Sequence, residues 1–225
     1  MPDKYSASFI DGMNAFRSGY SVHANPYRNN GIEHSSEHSD WEDGWSAAKE
    51  HSDLADIIVQ YQNPWFMVEK QKGMHWVSPT NPGGAVIIPV TKDQKVLCVE
   101  VFRPSINMFS LEFPRGGAEK GAELSVLIAK RELYEETGAK VPESRFFLIG
   151  TVVSDTGVIG SRIPVFMALV EDGDITGEPD AEIASVVPLS WAEIFQNIQS
   201  GKITCGFTLS SISLFHADRL LRGLP

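Results

Sequence analysis

A glycine-rich loop followed by a helix with clustered glutamates is the segment of this 225-residue chain that most constrains its structure. Gly116, Gly117 and Gly121 allow backbone conformations that other residues avoid, so the loop can turn sharply. The spacing of apolar residues predicts a helix from Ala122 to Thr137. Gly138 follows directly, and glycine commonly ends a helix. We therefore expect a loop, a helix and a second turn in this segment.

Three acidic side chains share one face of that predicted helix. Glu132, Glu135 and Glu136 are spaced i, i+3 and i+4, so they span about a third of the helix circumference. Clustered carboxylates repel one another unless a cation neutralises them, and hard cations such as Mg²⁺ or Mn²⁺ prefer oxygen ligands. Arg131 lies near the same face and can orient a carboxylate by paired hydrogen bonds. The alternative is an ordinary solvated helix surface.

The spacing of the whole segment resembles the signature of the Nudix hydrolases. That signature is Gly-x5-Glu-x7-Arg-Glu-U-x-Glu-Glu-x-Gly-U, in which U is an apolar residue. The matching residues are Gly117, Glu123, Arg131, Glu132, Leu133, Glu135, Glu136, Gly138 and Ala139.

This resemblance implies a fold, a cofactor and a reaction. It implies an α/β fold, specifically an α/β/α sandwich with a mixed sheet. Glu132, Glu135 and Glu136 would bind Mg²⁺, with a backbone carbonyl from Gly117, and Arg131 would position the glutamates. Glu135 and Arg131 are thereby candidate catalytic residues. The reaction would be hydrolysis of a nucleoside diphosphate linked to another group, with Mn²⁺ as a substitute cation.

Residues before the signature resemble the ADP-ribose pyrophosphatases. Arg103 follows Phe102, and Glu112 begins a Glu-x-Pro-x-Gly motif, so both are expected to contact the substrate or build its site. One departure concerns residues 154–158, which lack the proline usual in that group. ADP-ribose, cleaved to AMP and ribose 5-phosphate, is the first candidate substrate. Dinucleoside polyphosphates, nucleotide sugars, NAD-like molecules and capped RNA ends stay open.

Two further site residues are proposed from their position in the sequence. Relatives commonly take a general base from the loop before a late strand, and Glu182 is the first candidate here, with Asp180 and Glu178 as rivals. An acidic loop that only faces water is the alternative. Trp76, on a predicted N-terminal strand, could stack on an adenine, although aromatic residues on strands more often belong to the core.

Strands and helices alternate from residue 65 onward, as an α/β or α+β sandwich requires. Two apolar runs, from Ala85 to Val90 and from Val96 to Phe102, flank a polar turn and predict a hairpin. Further strands are expected at 146–153, 164–170 and 183–187. Helices are expected at 191–199 and 208–221.

The N-terminal residues differ in composition and resemble the ribosome modulation factor family. The similar features are Asn25-Pro26-Tyr27 and a Trp-x-x-Gly-Trp pattern at Trp41 to Trp45, and they imply a hairpin of two helices. We therefore expect a helical hairpin in residues 1–55 and a Nudix domain in 62–225. Residues 1–60 carry ten acidic and four basic side chains, so binding of RNA or the ribosome through the hairpin is disfavoured.

The remaining composition indicates a cytoplasmic protein without a membrane span, which acts on a small nucleotide substrate. The resemblance implies a homodimer. Two other functions stay open: a non-catalytic sensor of a nucleotide or RNA, and an RNA cap- or end-processing hydrolase. The intact glutamate set favours catalysis over sensing, and the formal charge of −10 disfavours RNA processing.

Overall fold

A computed structural model describes residues 6–17, 20–27, 36–50, 57–71, 73–81, 83–119 and 123–222. The chain forms two compact units. The first unit comprises residues 1–84, 117–128 and 153–164, and the second comprises residues 85–116, 129–152 and 165–225. The domain boundary predicted from the sequence, between residues 55 and 62, is a different kind of division from these compact units. It stays a prediction.

The helices and strands follow in the order helix, helix, three strands, four strands, helix, three strands, two helices. Their bounds are α1 Ala7–Arg17, α2 Ser36–Glu50, β1 Ile58–Gln62, β2 Phe66–Gln71, β3 Met74–Pro79, β4 Gly84–Thr91, β5 Val96–Arg103, β6 Met108–Glu112, β7 Arg115–Gly117, α3 Ser125–Thr137, β8 Phe146–Val152, β9 Ile163–Val170, β10 Ile183–Leu189, α4 Trp191–Gln199 and α5 Gly206–Leu221. No helix in the described ranges is long and apolar enough to cross a membrane.

Close contact between α1 and α2 explains the glycines of the N-terminal pattern. A Cβ on Gly44 would overlap the backbone carbonyl of Phe9, and a Cβ on Gly12 would overlap the backbone of Trp41. Trp41 is fully buried between the helices. Phe16 meets Trp45 edge to face, with ring centroids 5.0 Å apart. The helical hairpin expected from the sequence is therefore present, and small residues set its spacing.

The first unit also contains a three-stranded antiparallel sheet, in the order β1-β2-β3. The sequence predicts strands only from residue 65 onward, whereas Ile58–Gln62 already forms strand β1. The chain turns after this strand at Asn63. Its Oδ1 accepts hydrogen bonds from the backbone N–H groups of Trp65 and Phe66, both 2.8 Å long.

Helix α3 begins beside α1 in the first unit. The carboxylate of Asp11 accepts hydrogen bonds from the backbone N–H and the hydroxyl of Ser125, each 3.1 Å long. Asp11 thus takes the position of a helix cap, although it lies far away in sequence. The helix begins at Ser125 and not at Ala122, which lies outside the described residues together with Gly121.

The second unit contains a larger, mixed sheet. Its central order is β10-β5-β4-β9-β8, with β6 paired to β5 and β7 paired to β4. Strand β4 pairs with β9 in parallel, whereas β5 pairs antiparallel with β4, β6 and β10. Residues 85–88 of β4 are fully buried, as expected for a strand covered on both faces. The predicted hairpin of β4 and β5 is confirmed.

The observed bounds of α4 and α5, in the second unit, are close to those predicted from the sequence. Helix α4 has the predicted bounds and begins with a capping box, in which Ser190 and Glu193 satisfy each other's backbone N–H groups. Helix α5 begins at Gly206, one half-turn before the predicted start, and packs against β8.

Burial of Asp11 makes the stability of the protein depend on pH. Burial raises the pKa of this carboxyl from 3.8 to about 7, against the lowering effect of its two hydrogen bonds from Ser125. The folded state therefore binds the Asp11 proton more tightly than the unfolded state. This contribution to stability is complete below the unfolded pKa and is lost as pH rises through the folded value.

We predict that wild-type stability falls, relative to Asp11→Asn, by about 3 kcal/mol between about pH 5 and pH 8. Urea unfolding of both proteins at the two pH values measures this difference. A difference that does not change with pH would contradict the assignment to Asp11.

Candidate active site

Arg131 joins two of the three predicted metal ligands in the second unit. Its Nη1 lies 2.9 Å from Oε1 of Glu132 and 2.8 Å from Oε2 of Glu135. One turn of α3 therefore carries both carboxylates and the guanidinium that holds them. This arrangement agrees with the positioning role expected for Arg131.

The carboxylate of Glu132 lies against Gly116. A Cβ on Gly116 would overlap this carboxylate, so only glycine leaves the space that Glu132 uses. Gly117, the residue named from the signature, is exposed, and a Cβ there would meet only the carbonyl oxygen of Gly83, at 3.9 Å. Gly117 belongs to the first unit, and its role as a carbonyl ligand stays a prediction.

Arg103 and Glu112 form a two-point ion pair on neighbouring strands β5 and β6. Arg103 donates from Nε to Oε1 of Glu112 over 3.1 Å and from Nη2 to Oε2 over 2.8 Å. Arg115 donates from Nε to the same Oε2 over 3.0 Å. Burial raises the pKa of Glu112, but the hydrogen bond from Arg103 and the charges of both arginines outweigh it and lower that pKa to about 2.

Glu136 is buried with little compensation for its charge. Its Oε2 accepts one hydrogen bond, 3.2 Å long, from the backbone N–H of Arg115. Within the described part of the chain, no Lys, Arg or His nitrogen lies within ion-pair distance of this carboxylate. Burial raises its pKa to about 8, and the charge of Glu132 adds to this rise; the Arg115 N–H and the charges of Arg115 and Arg103 oppose it. A cation beside Glu132 and Glu136 would relieve both effects.

The loop that contains the candidate general bases packs against the end of α3. Gly138 has a φ of +71°, and a Cβ there would overlap the backbone of Gly177. The backbone N–H of Asp180 donates to the carbonyl of Glu135 over 2.8 Å. Glu178, Asp180 and Glu182 are all exposed. The structure therefore places this loop beside Glu135, with Asp180 making the direct backbone contact.

Trp76, like Gly117, belongs to the first unit. Its indole N–H donates to Oε2 of Glu69 over 2.8 Å, and its ring is half-buried. Its proposed stacking on an adenine stays a prediction.

Arg115 lies in the same cluster as Arg103, Glu112 and Glu136, and the sequence pattern assigns it no role. It joins Glu112 through its side chain and Glu136 through its backbone N–H. The feature of the sequence that could have pointed to Arg115 is its position inside the Glu-x-Pro-x-Gly motif. The motif does not specify the residue type there. Pairing of β5, β6 and β7 with neighbouring strands brings these residues together.

The side chains present fit a hard divalent cation by their chemistry. Among the described residues, no three His, Cys, Asp or Glu side chains converge as ligands of a metal ion. The reason is visible in the contacts, since Arg131 holds Glu132 and Glu135 while the Arg115 amide holds Glu136. The donor set consists of oxygens alone, two of the carboxylates are less than a tenth exposed, and Gly116 leaves room beside one of them.

Comparisons with known proteins identify the fold. No protein-family model matches the chain. A curated protein described as a methanol dehydrogenase activator, from Bacillus methanolicus, is 25% identical over 144 residues, which are 63% of this chain and 76% of that protein. A solved structure described as an ADP compounds hydrolase superposes with a TM-score of 0.57 at 15% identity, over 75% of this chain and 94% of that one.

The structural similarity shows a shared fold. The α/β architecture with a mixed sheet, predicted from the sequence, is confirmed, and it is shared with that hydrolase structure. The resemblance of the N-terminal residues to ribosome modulation factor finds no support in these comparisons.

The space at Gly116 generates a prediction about cation binding. In Gly116→Ala, the new methyl group would displace the Glu132 carboxylate, which is the far end of a flexible side chain. The fold should therefore survive while Mn²⁺ affinity drops by about tenfold or more. Gly117→Ala is the matched control and should stay within about threefold of wild type. Calorimetric titration with Mn²⁺ measures both; equal losses in the two variants would contradict this geometry.

Proposed function

We propose that the chain is a divalent-cation-dependent hydrolase of a nucleoside diphosphate linked to another group. ADP-ribose is the proposed substrate: water adds across the P–O–P linkage, giving AMP and ribose 5-phosphate. The printed description of the structural neighbour, ADP compounds hydrolase, is consistent with this substrate class. Arg103, Glu112 and Arg115 support the choice because they form one cluster with Glu136.

The observation that carries the proposal is the buried carboxylate of Glu136. It accepts one backbone hydrogen bond, and burial together with the charge of a second buried carboxylate, Glu132, raises its pKa. Burying a charged carboxylate that is not ion-paired costs several kcal/mol. A fold retains an arrangement of this kind where a ligand offsets the cost, and a divalent cation is the ligand that oxygen donors select.

Different side chains have different roles in the proposed reaction. A bound Mg²⁺, or Mn²⁺ in its place, would neutralise the diphosphate and lower the pKa of the attacking water. Arg131 holds Glu132 and Glu135 in position. Arg103 and Arg115, fixed by Glu112, present guanidinium groups suited to phosphate oxygens. We propose Glu182 as the general base, with Asp180 as the rival because its backbone contacts Glu135.

We further propose a homodimer that assembles through the first unit. Strand β1 is exposed along its whole length, and several large apolar side chains on or near it face solvent: Ile58, Val59, Tyr61 and Trp65. Exposed apolar edge strands favour pairing with another chain. Light scattering should give twice the chain mass of 24.8 kDa. A monomeric mass at micromolar concentration would refute this assembly.

We predict that ADP-ribose is hydrolysed to AMP and ribose 5-phosphate with Mg²⁺, and that excess chelator abolishes turnover until the cation is restored. Mass spectrometry identifies the products. Glu136→Gln should keep the fold and lower kcat by about a hundredfold or more, because it removes a carboxylate donor.

Glu143→Gln, at an exposed position, is the matched control and should retain wild-type kcat. Undiminished turnover in chelator would exclude the cation-dependent reaction. Binding of ADP-ribose without turnover would favour the sensor function, and a preference for dinucleoside polyphosphates or capped RNA would replace the substrate while keeping the chemistry.

A further inference from the structure

The first unit contains a cavity of about 590 Å³, and Trp76 is the one proposed site residue among those that line it. It lies among α1, α2, β3 and residues 153–162, all within this unit. Its volume falls in the range of small-molecule sites. Most of its wall is apolar or aromatic, with contributions from Phe9, Met13, Phe16, Met74, Trp76 and Ile159.

Two guanidinium groups line the same cavity. Arg17 lies at the end of α1, and Arg162 lies in the segment that follows β8. Within the described ranges, neither has a carboxylate at ion-pair distance. Arg17 is exposed to solvent over part of its surface; desolvation of the remainder and the nearby charge of Arg162 lower its pKa. Two like charges that share a cavity repel each other, and a bound anion would offset this repulsion.

The protein backbone fixes the position of this arginine pair. The buried amide of Asn14, one turn before Arg17 on α1, donates to the carbonyl of Arg162 over 2.7 Å. Val77 in β3 exchanges backbone hydrogen bonds with residues 158 and 160, each 2.7 Å long. The segment that carries Arg162 is therefore attached to both α1 and β3, so the backbone positions from which Arg17 and Arg162 extend are set before any ligand binds.

Glu69 is the acidic side chain among the lining residues, and it is hydrogen-bonded to two other lining residues. Its Oε2 accepts from the indole N–H of Trp76 and from the hydroxyl of Ser78. These bonds hold the indole in one orientation on the cavity wall. The lining residues therefore include two positively charged arginines, one hydrogen-bonded carboxylate and the indole of Trp76 in a fixed orientation.

We infer that this cavity binds an anionic small molecule with a flat apolar portion, of the chemical class of a nucleoside monophosphate. The arginine pair takes the phosphate, since guanidinium groups match phosphate oxygens in geometry and charge. The aromatic and apolar wall takes the base. The site needs no divalent cation, and the inference is independent of the proposed hydrolysis.

Calorimetric titration of the full chain with AMP, in buffer that contains excess EDTA, tests this inference. We expect saturable binding of one AMP per chain that weakens with added salt. Adenosine, which lacks the phosphate, and inorganic phosphate, which lacks the base, should each bind at least about tenfold more weakly. Absence of AMP binding at millimolar concentration would overturn the inference.

Variants assign the binding to this cavity. Arg17→Gln and Arg162→Gln should each weaken AMP binding by about tenfold, whereas Lys92→Gln, an exposed charge of the second unit, should leave it unchanged. Glu136→Gln should also leave it unchanged. Binding that resists both arginine substitutions, or that is lost in Glu136→Gln, would place AMP outside this cavity and refute the assignment.

Ala47→Phe provides a second, independent variant if the arginine substitutions unfold the protein. Ala47 lines the cavity, so a phenylalanine there fills the space while both guanidinium groups stay in place. Circular dichroism verifies its fold. Loss of AMP binding supports the inference, and unchanged binding contradicts it.

Discussion

Burial of two carboxylates on one helix is the constraint around which the second unit is organised. Glu132 and Glu136 are each less than a tenth exposed, although an isolated charge in a protein interior is strongly unfavourable. Arg131 offsets part of that cost at Glu132, and the Arg115 amide offsets part at Glu136. Arg115 is in turn fixed by Glu112, which also holds Arg103. Strand pairing, the position of glycine and the arrangement of charges thus all act on the small region around Glu132 and Glu136.

The elements that the sequence predicts well are those whose signals are local. The hairpin of β4 and β5 follows from two apolar runs around a polar turn, and Gln94 there adopts a φ of +63° as a tight turn requires. The end of α3 follows from Gly138, whose φ of +71° a larger residue would resist. The spacing of Glu132, Glu135 and Glu136 fixes their shared face because helical geometry does. Such features need no knowledge of distant contacts.

Features that depend on distant residues could not be predicted in this way. Asp11 caps α3 from a position more than a hundred residues earlier, and nothing near Ser125 indicates this partner. Arg115 occupies an unspecified motif position, and its role emerges only once β5, β6 and β7 pair with their neighbours. Strand β1 was missed because its side chains are exposed throughout, so it lacks the alternating burial by which strands are usually detected.

Net charge and local charge lead to different conclusions about the N-terminal residues. The excess of six negative charges in residues 1–60 argues against a polyanion that must lie along a broad surface, because many weak contacts would then be repulsive. A small anion in a cavity meets only the charges that line it, and the nearest of these are Arg17 and Arg162. The acidic side chains of residues 1–60 repel a long nucleic acid, which meets many of them, more strongly than a single phosphate. The same helical hairpin can therefore disfavour RNA and bind a mononucleotide.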